Sequence, residues 1–150
     1  MLENWGMEAT RLNLMLFMFF DTDNSSQLNF AEYTATLWNF LTVGNVALNV
    51  FLMADGKGQG YITDDQCKNL IETLHGIDDL QRNKNMFKCY MAMKDAMTDI
   101  GKITLENFLE GVLNGPTLVN PIFLLQAKLK KMVLSESIWN DQLNNRYYIN

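Results

Sequence analysis

A chain of 150 residues, 48% of them hydrophobic, is long enough for one domain or two small lobes with a real core. Its net charge of −5 disfavours non-specific nucleic-acid binding, which needs a basic patch. No apolar run approaches the ~20 residues of a membrane-spanning helix, so a membrane is not an expected partner. No basic region followed by an apolar run opens the chain, and no Gly follows Met1. Neither a signal peptide nor a myristoyl group is therefore expected. Cys67 and Cys89 lack metal-ligand spacing and read as buried thiols of a reducing compartment. His75 is the only histidine. With no Ser/His/Asp or Cys/His constellation and no Gly-rich phosphate loop, an enzyme is not expected. Ten Met and nine Phe suit either a groove that accepts helices or ordinary core packing.

In chain order, Trp5 and Met7 read as an N-terminal arm. Residues Glu8 to Phe20 carry apolar side chains at Leu12, Leu14, Met15, Leu16, Met18, Phe19 and Phe20, a helix buried on more than one side. The twelve residues Asp21 to Glu32 follow. A hard divalent cation takes carboxylate, hydroxyl and carbonyl oxygens, and a loop of this length presents them at set places. Asp21 stands first, Asp23 third and Ser25 fifth. Gln27 offers its backbone carbonyl at the seventh place and Glu32 a bidentate carboxylate at the twelfth. Asn29, ninth, would act through a water, and apolar Leu28 is eighth. These are the candidate metal ligands. The sixth place needs a sharp turn that favours Gly, but Ser26 stands there. A left-handed residue other than Gly costs about 1–2 kcal/mol, which should weaken the site. The competing reading is that Asp21 and Asp23 only cap a helix start.

An exit helix over Phe30 to Leu41 has Tyr33, Leu37, Trp38, Phe40 and Leu41 as its apolar face. A break at residues 42–45 precedes another helix from Val46 to Ala54. The frame of the loop then recurs at residues 55–66, with Gly60 sixth and Ile62 eighth. Lys57, Gln59 and Gln66 leave Asp55 as the one acid ligand. Thr63 and Gln66 read as a capping box, and the helix they start ends near Leu74, with His75 beside Gly76. A helix over Leu80 to Lys94 leads to a third frame at residues 96–107, placed by Gly101 and Ile103. Its ligand places hold Ala96, Thr98, Ile100, Lys102, Thr104 and Asn107, with no acid. Thr104 and Asn107 form a weaker cap pair before a helix that runs to Gly115-Pro116. Ile62 and Ile103 should face each other in a short antiparallel contact that needs no metal. A tail follows, with helices over Pro121 to Val133 and Ser135 to Tyr148, Ser135 being a cap, and Ile138, Trp139 and Leu143 on one face. This tail reads either as a membrane-surface helix or as a cover for the domain's own groove.

The residues Asp21-Thr22-Asp23, Leu28-Asn29-Phe30-Ala31-Glu32-Tyr33, Gly60-Tyr61-Ile62-Thr63 and Gly101-Lys102-Ile103-Thr104-Leu105-Glu106-Asn107-Phe108 resemble the EF-hand superfamily. Their spacing is most similar to the later three hands of calcineurin B and the neuronal calcium sensors. The resemblance implies an all-α fold of helix–loop–helix repeats over residues 1–115, with loops 21–32, 55–66 and 96–107, and a C-terminal helical extension over 116–150. It implies Ca2+ at one site at most, held by Asp21, Asp23, Ser25, Gln27 and Glu32. The function it implies is a non-enzymatic, calcium-binding regulatory or light-chain-like subunit. The alternative is a calcium-independent adaptor of a cytoskeletal or ciliary complex. The implied partner is an amphipathic helix or apolar segment of a larger protein, in the cytoplasm, at the cytoskeleton or in a cilium. In that alignment the last two hands pair, and the hand at Asp21 lacks a mate. Phe17, Phe20, Phe30, Leu37 and Trp38 would then need a cover. A partner chain is expected there, with the tail around Phe123 and Trp139 contributing part.

Overall fold

The computed structural model describes residues 6–144. Trp5 and the end of the last expected helix, through Tyr148, lie outside them. The elements are α1 (Arg11–Phe20), α2 (Phe30–Thr42), α3 (Val46–Ala54), β1 (Tyr61–Ile62), α4 (Asp64–His75), α5 (Lys84–Asp95), β2 (Ile103–Thr104), α6 (Leu105–Asn114), α7 (Asn120–Val133) and α8 (Glu136–Asn144). Short 3-10 segments run over Leu80–Arg82 and Pro116–Val119. The architecture is all-α apart from the two-residue strands. The chain divides into two compact units, Met1–Asn45 with Phe123–Asn150, and Val46–Ile122.

In the first unit, α1 starts later than Glu8 because Thr10 caps it, its hydroxyl accepting from the Asn13 N–H at 3.2 Å. Leu16, Phe20, Leu37, Phe40 and Leu41 form the core of the α1–α2 pair, and Phe19 meets Phe20 and Phe40 edge-on. The tail covers part of this pair. Gln126 of α7, fully buried, donates to the carbonyls of Phe40 at 2.7 Å and Val43 at 3.4 Å. The last turn of a helix leaves its carbonyls without intrahelical donors, and this amide supplies one to the end of α2. Trp139 of α8 is buried against Trp38 of α2, with ring centroids 6.1 Å apart.

In the second unit, α3 and α4 flank one loop, and α5 and α6 flank the other. The loops meet through β1 and β2, antiparallel, with Ile62 opposite Ile103 and Tyr61 opposite Thr104, as their spacing predicts. Both isoleucines are fully buried, and Phe51 packs on Phe108 beside them. Gly76 closes α4 in the left-handed conformation. His75 stands at that helix end, with Nε2 3.1 Å from the Leu118 carbonyl. The helix expected from Leu80 is broken at Asn83, whose side chain accepts from the Met86 N–H and starts α5 there. Cys67 and Cys89 are buried free thiols, as expected, and burial pushes the Cys67 thiol up to about 12. No single helix among the described residues is long and apolar enough to cross a membrane.

Candidate metal centre

The loop between α1 and α2 is a sharp turn pinned by its own side chains. The Asp21 carboxylate, buried, accepts from the backbone N–H of Ser25 at 3.0 Å and of Ser26 at 2.8 Å. Asp55 does the same in the second loop, from Gln59 at 2.9 Å and Gly60 at 2.7 Å. The first-position carboxylate therefore folds the turn in both loops, including the one that lacks further acids. The sixth residue is left-handed in all three loops: Ser26 at φ 63°, Gly60 at 81° and Gly101 at 82°. Asn24 is left-handed as well, at φ 57°. The first loop thus adopts the turn that its sequence makes costly.

Inside this turn, carboxylate oxygens of Asp21, Asp23 and Glu32 lie within 4.8 Å of one another. Two oxygens at 2.3–2.6 Å from one ion are at most about 5 Å apart, so these three can share a metal ion. The remaining predicted ligands adjoin them. Ser25 Oγ is 3.5 Å from the Asp21 carboxylate, and it donates to the Gln27 carbonyl at 2.9 Å. The Ser25 hydroxyl and backbone N–H hold the Asp23 carboxyl below its ordinary range, so it is a charged donor at neutral pH.

Two residues behave differently from the spacing argument. Asn29 was read as a ligand acting through water. Instead its side-chain oxygen accepts from the Glu32 N–H at 2.9 Å, while Glu32 accepts from the Asn29 N–H at 3.2 Å. This capping box starts α2, so the helix is capped by Asn29 and not by Asp21 or Asp23. Thr22 had no expected role, because the second place is not a ligand place. Its hydroxyl donates to Glu32 Oε1 at 2.9 Å, and the Asp23 N–H donates to the same oxygen at 3.1 Å. Glu32 is thereby turned toward the loop start.

The twelfth position makes a comparable tether in the other loops, by different chemistry. Gln66 accepts from the Thr63 N–H at 2.8 Å and donates to the Ala54 carbonyl at 3.4 Å. Asn107 accepts from the Thr104 N–H at 3.0 Å and donates to the Ala96 carbonyl at 2.8 Å. A carboxylate has no proton for such a carbonyl and needs a cation, whereas an amide supplies its own N–H. Lys102 pairs with Asp99 at 2.8 Å on the surface of the third loop, and the fifth-position Ile100 is fully exposed. Neither loop gathers carboxylates, and the acidic group at Asp21, Asp23 and Glu32 stands in the first loop alone among the described residues. The chain matches no protein-family model, and no curated protein matches it.

Proposed function

We propose that this chain is a non-enzymatic EF-hand protein that binds one Ca2+ in the loop Asp21–Glu32 and acts as a regulatory or light-chain-like subunit of a larger assembly. The observation that carries this reading is the convergence of Asp21, Asp23 and Glu32 in a twelve-residue loop whose sixth residue is left-handed. Calcium suits the site better than magnesium. Ca2+ accepts six to eight oxygens in a flexible cage, whereas Mg2+ demands an octahedron and keeps several waters. The repeat reading is supported by the Ile62–Ile103 contact, which joins the other two loops at their eighth positions. The partner is an amphipathic helix or apolar segment of a larger cytoplasmic or cytoskeletal protein, of the kind that EF-hand subunits grip.

A specific observation also favours the calcium-independent adaptor. The amides of Gln66 and Asn107 close their loops without an ion, so the second unit has no need of one. Calorimetry separates the two readings. Titrating Ca2+ into the full chain should give one binding event, lost in Glu32→Gln and not reproduced by Mg2+ at equal concentration. Stoichiometric heat persisting in Glu32→Gln would overturn the site assignment. No heat in the native chain, together with partner capture that a chelator leaves unchanged, would establish the adaptor.

A further inference from the structure

Each of the three loops ties its twelfth residue back toward the loop start. Gln66 and Asn107 do so by giving an amide proton to the carbonyls of Ala54 and Ala96. Glu32 has no proton to give, so its tether runs the other way, with the carboxylate as acceptor. Oε1 accepts from the Thr22 hydroxyl at 2.9 Å and the Asp23 N–H at 3.1 Å, and Oε2 accepts from the Asn29 N–H at 3.2 Å. Thr22 stands at the second place, which Gly56 and Met97 hold in the other two loops. Neither of those has a hydroxyl. The donor thus occurs in the one loop whose twelfth residue is an acid. Among the described residues, every other donor to Asp21, Asp23 or Glu32 is a backbone N–H or the hydroxyl of Ser25, itself a predicted ligand.

These bonds work against a repulsion. Carboxylate oxygens within 4.8 Å of one another drive their side chains apart unless a cation joins them. Asp21 and Asp23 are short, and the N–H groups of Ser25 and Ser26 fix them. Glu32 has one more rotatable bond and a way out toward solvent, yet it is buried at the loop start. Its tethered place is also its ligand place, because an oxygen of Glu32 already lies within ligand reach of the other two carboxylates.

We propose that Thr22 is a positioning residue that holds Glu32 in its ligand place before calcium arrives. A glutamate side chain loses rotamer freedom when it is fixed, and a loop that fixes it on folding spares that loss on binding. The hydroxyl directs its proton to Oε1 and leaves the remaining lone pairs of the carboxylate for a cation. This role rests on the calcium reading above.

The test compares Thr22→Val, which keeps the side chain's shape and removes the hydroxyl, with Thr22→Ser, which retains it. Thr22 is exposed, and circular dichroism should show the native fold in both variants. In calorimetry with CaCl2 alone, Thr22→Val should keep one site and weaken it about tenfold, while Thr22→Ser binds like the native chain. In the metal-free chain, nuclear magnetic resonance should find separate shifts for the Glu32 side-chain methylene protons in the native protein and in Thr22→Ser, and averaged shifts in Thr22→Val. Native affinity in Thr22→Val would overturn the proposal. So would tighter binding, which would make the hydroxyl a rival of the ion. Equal losses in the two variants would assign the effect to the shape of the loop and overturn it too, and an unchanged Glu32 signal in Thr22→Val would assign the tether to the backbone donors alone. All these outcomes leave the metal site standing. No heat in the native chain is the different result: it sinks the calcium reading, and the positioning role with it.

Discussion

The Asn107 side-chain amide donates to the Ala96 carbonyl at 2.8 Å, tying the last position of the third loop to its first. A metal would otherwise make that link, drawing the twelfth residue and the loop start onto one centre. An amide does it with one proton and no charge. The third loop, with no acid at these places, therefore still joins α5 to α6, next to the Ile62–Ile103 contact.

Replacing Asn107 by Asp should for this reason destabilise the second unit. The carboxylate can still cap α6 through the Thr104 N–H, but it brings a second acceptor against the Ala96 carbonyl. Losing a buried donor and leaving the carbonyl unmatched costs about 1–3 kcal/mol. Thermal melts should show the loss, and added Ca2+ should not restore it, since the loop has no other acid at a ligand place. A melt unchanged from the native chain would show that the tether carries no stability.

Much of this was legible in the sequence, and the reasons are local. Gly60, Ile62, Gly101 and Ile103 repeat at one spacing, which located both paired loops and their contact. Thr63 with Gln66 and Thr104 with Asn107 located two helix starts. The capping role of Asn29 was hidden because the same residue fits the ninth ligand place, and spacing cannot say which group an amide oxygen chooses. The break at Asn83 was hidden by the apolar period running through it. Gly111 was invisible too. A Cβ there would collide with Met93 and approach the Cys89 carbonyl to 2.9 Å, so α5 and α6 pack too closely for a side chain. That closeness is a tertiary fact with no local signal.

Ser26→Gly should stabilise the first unit. Ser26 holds φ 63° with its N–H on Asp21, a conformation that costs a non-Gly residue about 1–2 kcal/mol. Glycine removes the strain but gains freedom in the unfolded chain, a loss of about 0.5–1 kcal/mol. The net is a gain of up to about 1.5 kcal/mol, read as a higher melting temperature. Metal affinity should rise in the same variant if the ion needs this turn. A lower melting temperature would show that the serine is at ease there.

Acid should weaken a network on the second unit. Burial raises the Asp64 carboxyl, but the Tyr90 hydroxyl, Lys68 and Lys94 outweigh it and hold it below its ordinary value of 3.8. A depressed carboxyl contributes stability above its unfolded value and loses it as pH falls through the folded one. Tyr90→Phe should therefore cost about 1 kcal/mol near neutral pH, discounted for partial exposure of the carboxyl. The difference from the native chain should shrink as pH falls below 3.8 and vanish only once pH has passed through the lower value of the folded state. At the alkaline end, burial and then the Asp64 charge push the Tyr90 phenol up to about 12. Its stabilising, neutral form should thus be lost only as pH rises beyond the ordinary value of 10. Urea melts across this range check both limbs. A Tyr90→Phe deficit that persists at low pH would assign the loss to packing.

The contact between Trp38 and Trp139 decides how the first unit closes. Trp139 is 4% exposed, yet its indole Nε1 is buried without a hydrogen-bond partner among the described residues. An unmatched buried donor costs about 1–3 kcal/mol, so this ring seats by its apolar area alone. Trp139→Phe removes that penalty while keeping most of the area, and should leave stability within about 1 kcal/mol of native. Trp139→Ala opens a void beside Trp38 and should cost about 3 kcal/mol or more. Ending the chain after Val133 removes α8 altogether, uncovering Trp38 and raising the binding of a hydrophobic dye. Near-UV circular dichroism follows the two rings directly, because their coupling at 6.1 Å disappears when either is replaced. If Trp139→Ala and the shortened chain both melt like the native protein and bind no dye, α8 is not the cover of this face. If instead they bind dye and self-associate, the tail closes in the isolated chain what a partner segment would have to displace.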